Sequence, residues 1–178
     1  MATSFNKDGI LSRLRQLDDD LLSLYPDKAP FSITIVGGSA IVLRDLASNK
    51  TQTVDIDALR AEEELEELFS RYDINTHVDT FLFQFPTNFE HRLVEVEFSG
   101  SMLRVLTLSN EDLAITKLIA WRKQDQEDLY GMLEVGSIDT KKLVAILNDD
   151  SEVRINIEEK DWQELLAHLA ALGIRIPQ

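Results

Sequence analysis

Four stretches of the chain hold residues whose types and spacing could do chemistry. Gly37-Gly38-Ser39 follows the apolar run Ser32–Val36 and opens the segment AIVLRDL. Glycines at such a junction let backbone approach a ligand closely. A helix start adds N–H groups and a partial positive charge, which suits a phosphate. A tight strand-to-helix turn would use the same residues, and the stretch is neither a Walker A loop nor a full dinucleotide fingerprint. Asp55-Ile56-Asp57 lies in TVDID, with Asp55 16 residues after Ser39. On a strand, alternate side chains share a face, so Asp55 and Asp57 would project together and could grip one or two hard cations through oxygen. An exposed strand face or a plain calcium site would give the same pattern. Glu95 and Glu97 alternate in the same way within LVEVEF, and either could complete a three-carboxylate metal site. Arg92 shares a face with Val94, Val96 and Phe98, where a charge needs a partner or an anion.

The fourth stretch is DLAITKLIAWRKQDQEDLYGML. Its spacing predicts one long helix, from about Glu111 to Leu133, with Ile115, Leu118, Ile119, Leu129 and Leu133 in a broad apolar stripe. Arg122 and Asp125 fall within that stripe, and Lys117 and Asp128 lie together at its edge. Buried charges are costly unless paired or bound to a ligand. An Arg122–Asp125 pair at i, i+3 is the plain account. The chemical account has Lys117 and Arg122 meeting phosphate while Asp125 or Asp128 serves the site. Trp121, Trp162 and the three histidines (His77, His91, His168) read as packing or surface residues, and EEELEE reads as a solvated helix face.

These residues must be positioned by a chain of 178 residues and 20.3 kDa, long enough for a core without metal or disulfide staples. Residues 8–24 read as a helix, with Ile10, Leu14, Leu17, Leu21 and Leu24 at helical spacing. Strands are expected at Ser32–Val36, Thr53–Asp57, Thr80–Phe85, Arg92–Phe98 and Met102–Leu108, with Gly100-Ser101 as a hairpin turn between the last two. A helix is expected at Ala61–Phe69. From Asn110 onward the pattern is helical: the long helix, one capped by Asp139, and a last one from about Glu158 to Leu172 that Gly173 ends. The expected layout is therefore an α/β part over residues 1–109 and a helical part over 110–178.

Composition narrows the chemistry. The chain has no cysteine, so a thiol nucleophile and a zinc–thiolate site are excluded. The histidines lack metal-like spacing. Eighteen basic against 32 acidic residues give a net charge of −14, which opposes nucleic-acid binding through the global field. No apolar run is long enough to span a membrane and no signal-peptide stretch opens the sequence, so a cytoplasmic location with no membrane partner is expected.

Taken together, IVGGSAIVL, TVDID and VEVEF resemble the DNA polymerase β-like nucleotidyltransferase superfamily. FEHRLVEV and DLAITKLIAWRKQDQEDL are similar to a branch of small bacterial proteins that looks like the AbiEii-type abortive-infection toxins. The AbiEii-type spacing is Lys-x-x-Ala-x-x-x-Arg, whereas here Arg122 follows Ala120 by two. The resemblance implies an α/β (α+β) fold: a nucleotidyltransferase-like mixed sheet with flanking helices, then a helical part. It implies that Gly37, Gly38 and Ser39 hold a nucleoside triphosphate, that Lys117 meets its phosphates, and that Asp55 and Asp57 are catalytic ligands for Mg2+ or Mn2+. Glu95 or Glu97 would complete the metal site, and Asp125 or Asp128 would match the late acid of the toxin-like motif. The implied reaction moves a nucleoside monophosphate to an acceptor that could be RNA, a protein or a small molecule. A toxin–antitoxin or phage-defence setting, with a cognate antitoxin as partner, is the wider expectation. A non-catalytic module that keeps the fold and binds a nucleotide or a protein is the alternative.

Overall fold

The computed structural model describes residues 4–59, 65–78 and 84–176. The chain forms two compact units, both assembled from separate stretches of sequence. The first takes Met1–Asp45, Lys50–Thr80 and Leu93–Thr107; the second takes Leu46–Asn49, Phe81–Arg92 and Leu108–Gln178.

The first unit is built on a five-stranded mixed sheet. Its strands are β1 (Phe31–Ile35), β2 (Ile56–Leu59), β3 (Ile74–Asn75), β4 (Val94–Glu95) and β5 (Leu103–Thr107), in the order β3-β2-β1-β5-β4. β1 runs parallel to β5 and antiparallel to β2; β3 is parallel to β2 and β4 antiparallel to β5. Helices α1 (Lys7–Leu24), α2 (Gly37–Leu43) and α3 (Glu66–Arg71) complete the unit. The Asn6 side chain caps α1 by accepting the Gly9 N–H at 2.9 Å. Ile10, Leu14, Leu17 and Leu21 are fully buried, which is the helical stripe the sequence predicts. Asp18 is buried on that face too, because its carboxylate accepts the N–H groups of Ser101 and Met102 at 3.0 and 2.8 Å. It thereby holds the turn between β4 and β5. Gly100 is needed there, since a Cβ would meet the Phe98 ring at 2.3 Å and Asp18 Oδ1 at 2.5 Å.

The second unit consists of α4 (Asn110–Ala120), α5 (Lys123–Glu134), α6 (Thr140–Asn148) and α7 (Glu159–Ala171) with short 3-10 turns at Phe89–Arg92 and Arg154–Asn156. Ser109 caps α4, and Asp139 caps α6 as expected. Leu113, Ala114, Ile115, Leu118, Leu129 and Met132 are fully buried. Gly173, at φ +76°, ends α7, and its N–H reaches the Ala170 carbonyl at 3.0 Å.

Several expectations need correction. The single helix from Glu111 to Leu133 is two helices, α4 and α5. Trp121 adopts the left-handed conformation (φ +46°), and the chain restarts at Arg122. Arg122 consequently leaves the apolar stripe, with a side chain 76% exposed. The strand at Thr53–Asp57 begins only at Ile56, so Asp55 sits in the lead-in; Thr53 instead bridges to Phe5. The strand at Arg92–Phe98 is reduced to Val94–Glu95, although Val96 N–H still reaches the Val105 carbonyl at 2.9 Å. Most of the strand expected at Thr80–Phe85, and the first turn of the helix expected at Ala61–Phe69, lie outside the described residues. No helix among the described residues is long and apolar enough to cross a membrane.

Candidate functional site

In the first unit, β1 delivers the chain into Gly37 at the start of α2. Gly37 has φ +60°, a conformation that L side chains rarely adopt. A Cβ there would lie 3.5 Å from Asp57 Oδ2, so one oxygen of this carboxylate faces the bare backbone of the turn. The Asp57 carboxylate is aimed by Asn75, whose amide donates to Oδ1 at 2.9 Å across the β2–β3 pair. A Cβ on Gly38 would sit 3.0 Å from Lys50 Cε, 3.1 Å from Lys50 Nζ and 3.3 Å from Thr53 Oγ1. An ammonium group thus covers the second glycine from the loop after α2.

Ser39 has a different task from the one the resemblance implies. It is fully buried. Its hydroxyl donates to the Val36 carbonyl at 2.7 Å and accepts the Asp57 N–H at 3.2 Å. With Val36 N–H bonded to the Asp57 carbonyl at 2.9 Å, it clamps the glycine turn against β2. Ser39 positions Gly37 and Asp57 and presents no surface to a ligand.

The four carboxylates expected to hold metal do not gather. Asp57 is half-buried beside the glycines, and Asp55 is exposed two residues earlier. Glu95 lies on β4, separated from β2 by β1 and β5 in the sheet. Its carboxylate accepts from Arg104 Nη2 at 2.6 Å, and this bond holds it below its ordinary pKa. Glu97, also exposed, follows β4. Among the described residues no three acidic or histidine side chains come together as a metal site. The three-carboxylate set is therefore not formed. Asp57 still offers hard oxygen donors beside the bare backbone of Gly37, with Asp55 two residues before it. That suits a magnesium ion carried in by a triphosphate, since Mg2+ is commonly held by one or two carboxylates plus phosphate oxygens and water.

In the second unit the expected residues do converge, on one another. Lys117 is buried, with Nζ 2.7 Å from Asp125 Oδ1 and 2.9 Å from Asp128 Oδ2. Arg122 Nε lies 2.7 Å from Asp125 Oδ2, the i, i+3 pair, and Arg122 N–H donates to the same oxygen at 3.1 Å, which starts α5. Burial pushes the Asp125 carboxyl up, but the Arg122 hydrogen bond and the Lys117 charge outweigh it, and the group stays below its ordinary pKa. Gln124 donates to Asp128 Oδ1 at 3.1 Å. The cluster therefore joins α4 to α5 across the break at Trp121.

A second ionic cluster in this unit went unrecognised in the sequence except for Arg92, which needed a partner. Arg92 forks onto buried Asp112 (Nε 3.0 Å, Nη2 2.8 Å) and also reaches both oxygens of Glu152 at 3.0 Å. Ser109 Oγ donates to Asp112 Oδ2 at 2.6 Å, and Asn88 donates to Glu152 through its N–H and its amide. Burial pushes Glu152 up, while the bonds from Arg92 and Asn88 take it down to about 2. Lys50 and Asn75 were missed as well. Neither belongs to a local motif; strand pairing and loop return bring them in.

Among known families, a model described as "Nucleotidyltransferase of unknown function" (DUF6036) matches residues 12–171. No curated protein and no solved structure matches the chain.

Proposed function

The chain belongs to this family of nucleotidyltransferases, and from that premise we propose that it transfers a nucleoside monophosphate from a magnesium-bound nucleoside triphosphate to an acceptor. One observation carries the reading: an Asp57 oxygen faces the side-chain-free backbone of Gly37. That places an anionic metal ligand next to a surface phosphate oxygens can approach. Gly37 and Gly38 would take the phosphates on bare backbone, and Lys50 would offset their charge. Asp55 and Asp57 would hold Mg2+ or Mn2+. When bound, the ion screens the phosphate charge that otherwise repels a nucleophile. Asn75 fixes the Asp57 carboxylate, and Ser39 fixes the turn, so the site is organised before substrate arrives. The acceptor then attacks the α-phosphorus in line and pyrophosphate leaves. Placement and electrostatics are the protein's share of the work.

In the second unit, Arg122 is the cation whose exposure supports phosphate contact. Lys117 would have to give up two carboxylates to make one. Asp125 is read as the acid that starts α5 and holds both cations. The toxin–antitoxin or phage-defence setting, with an antitoxin partner, is supported by FEHRLVEV and DLAITKLIAWRKQDQEDL alone.

Thermal melting with each nucleoside triphosphate, with and without magnesium, tests the proposal. At 100 times its dissociation constant a ligand adds about 2.7 kcal/mol. A magnesium-dependent rise in the wild type that vanishes in Asp57→Asn, together with label transferred from an α-32P triphosphate, is expected. An equal rise in Asp57→Asn would refute this site. A rise without transfer to any acceptor would favour the non-catalytic binding module.

A further inference from the structure

The segment ahead of α1 is tied to the stretch that leads from Lys50 to Asp55. Residues 51–55 lie between α2 and β2, outside both elements. Two backbone bonds fasten them: Phe5 N–H donates to the Thr53 carbonyl at 2.7 Å, and Thr53 N–H donates to the Phe5 carbonyl at 2.9 Å. On one side of this bridge Ser4 Oγ donates to Gln52 Oε1 at 3.0 Å. On the other, Lys7 pairs with Asp45, just past α2.

Phe5 anchors this strap. Its side chain is 6% exposed, with the Arg13 guanidinium 5.8 Å over its ring. The chain beyond it is fixed by the Asn6 cap and the buried face of α1. Thr53 carries the bridge into the site. Its Oγ1 donates to the Asp55 carbonyl at 3.0 Å and stands 3.3 Å from where a Cβ on Gly38 would sit, with Lys50 Nζ at 3.1 Å from the same point. An apolar residue just before a helix cap also fixes the entry of the chain into the helix, and that is the plain role of Phe5. The two bonds to Thr53 do something else: they order the stretch beside the glycine turn. Ordering a stretch of chain costs conformational entropy, and a ligand binds more tightly where folding has already met that cost.

Resting on the nucleotidyltransfer reading, we propose that Phe5 is a positioning residue of the nucleotide site, acting through Thr53 on Lys50 and Asp55. Phe5 itself touches neither phosphate nor metal. Asp57 has its own supports in Asn75 and Ser39. The strap therefore governs one side of the site, and its loss weakens magnesium–triphosphate binding without abolishing it.

Calorimetric titration with magnesium–ATP of the wild type, Phe5→Ala, Lys50→Met and the double variant tests this. Each single variant should bind roughly tenfold more weakly. The double variant should be about as weak as Lys50→Met rather than roughly a hundredfold weaker than wild type, because both changes remove the same contact. Phe5→Leu keeps the apolar anchor and should restore binding. Phe5→Ala also loosens the entry to α1, so the wild type supplies a second readout. Coupling is reciprocal, so magnesium–ATP should slow hydrogen exchange at the Phe5 and Thr53 amides. A merely structural Phe5 would lower the urea midpoint with affinity unchanged, or make the two substitutions additive. Either result, unchanged affinity in Lys50→Met, or exchange at both amides unmoved by magnesium–ATP would overturn the inference. A wild type that gives no melting shift with magnesium–ATP strikes the nucleotidyltransfer reading and this inference with it. An intact shift beside an additive cycle strikes this inference alone.

Discussion

Replacing Lys117 with Met tests whether the second unit's charges are a frame or a spare binding site. The substitution removes an ammonium 2.7 Å from Asp125 and 2.9 Å from Asp128, both buried, and leaves a side chain of similar length. Asp125 keeps its bond to Arg122 Nε. Asp128 keeps the Gln124 amide but loses the ammonium at its other oxygen. Removing one partner of a buried ion pair costs about 3–5 kcal/mol, mainly because the remaining charge is stranded. Urea unfolding reads this directly, since both tryptophans, Trp121 and Trp162, belong to this unit. With a slope of about 2 kcal/mol per molar, the fluorescence midpoint should fall by about 1.5–2.5 M. Adding Asp128→Asn removes the stranded charge and should restore more than half of the loss. A loss below about 1 kcal/mol, or no rescue by Asp128→Asn, would refute the structural account and free Lys117 for phosphate.

Other perturbations separate the remaining roles. Gly37→Ala should cost about 1–2 kcal/mol at φ +60° and weaken magnesium–triphosphate binding roughly tenfold; unchanged affinity by thermal shift would mean the turn does not cradle phosphate. Glu152 is depressed from 4.5 to about 2, so the stability it contributes is fully present above pH 4.5 and is lost as pH falls toward 2. Fluorescence-detected urea unfolding across that window should show the wild type losing up to about 3 kcal/mol, and Glu152→Gln should start lower at pH 7 and flatten the fall. Glu95→Gln should leave transfer activity within about twofold and the urea midpoint unmoved, as for an exposed pair. Loss of metal-dependent activity in that variant would return Glu95 to the site.

What the sequence disclosed follows the range of the forces involved. The buried face of α1, the strand leading into Gly37, the Gly100 turn and the caps at Asp139 and Gly173 are local, and each was legible. The break at Trp121 was not, because tryptophan is no helix breaker and the stripe of apolar residues runs on through it. Only the spacing of Arg122 and Asp125 hinted at a new N-terminus, and it also fits an ordinary i, i+3 pair. The neighbours of the glycine turn were hidden for another reason. Asn75 and Lys50 reach the glycine turn through strand pairing and loop return, which no local period encodes. Glu95 is kept apart from Asp57 by strand order, with β1 and β5 between their strands. Alternation says which face a carboxylate shares, and it says nothing about how many strands lie between two such faces.

The residues that make the sequence recognisable differ in kind from those that would react. In FEHRLVEV and DLAITKLIAWRKQDQEDL the buried charged positions are consumed by folding. Arg92 binds Asp112 and Glu152, and Lys117 binds Asp125 and Asp128. Each is a buried network in which the loss of one member strands another, so the set must be kept together for the helices to pack. The glycine turn and Asp57 carry no comparable folding demand beyond the backbone of Gly37 and the clamp of Ser39. Asp55 is exposed and could change without disturbing the core. A chain can therefore keep the helical signature while its carboxylate pair drifts. The signature alone identifies the frame, and activity has to be decided at Gly37, Asp55 and Asp57.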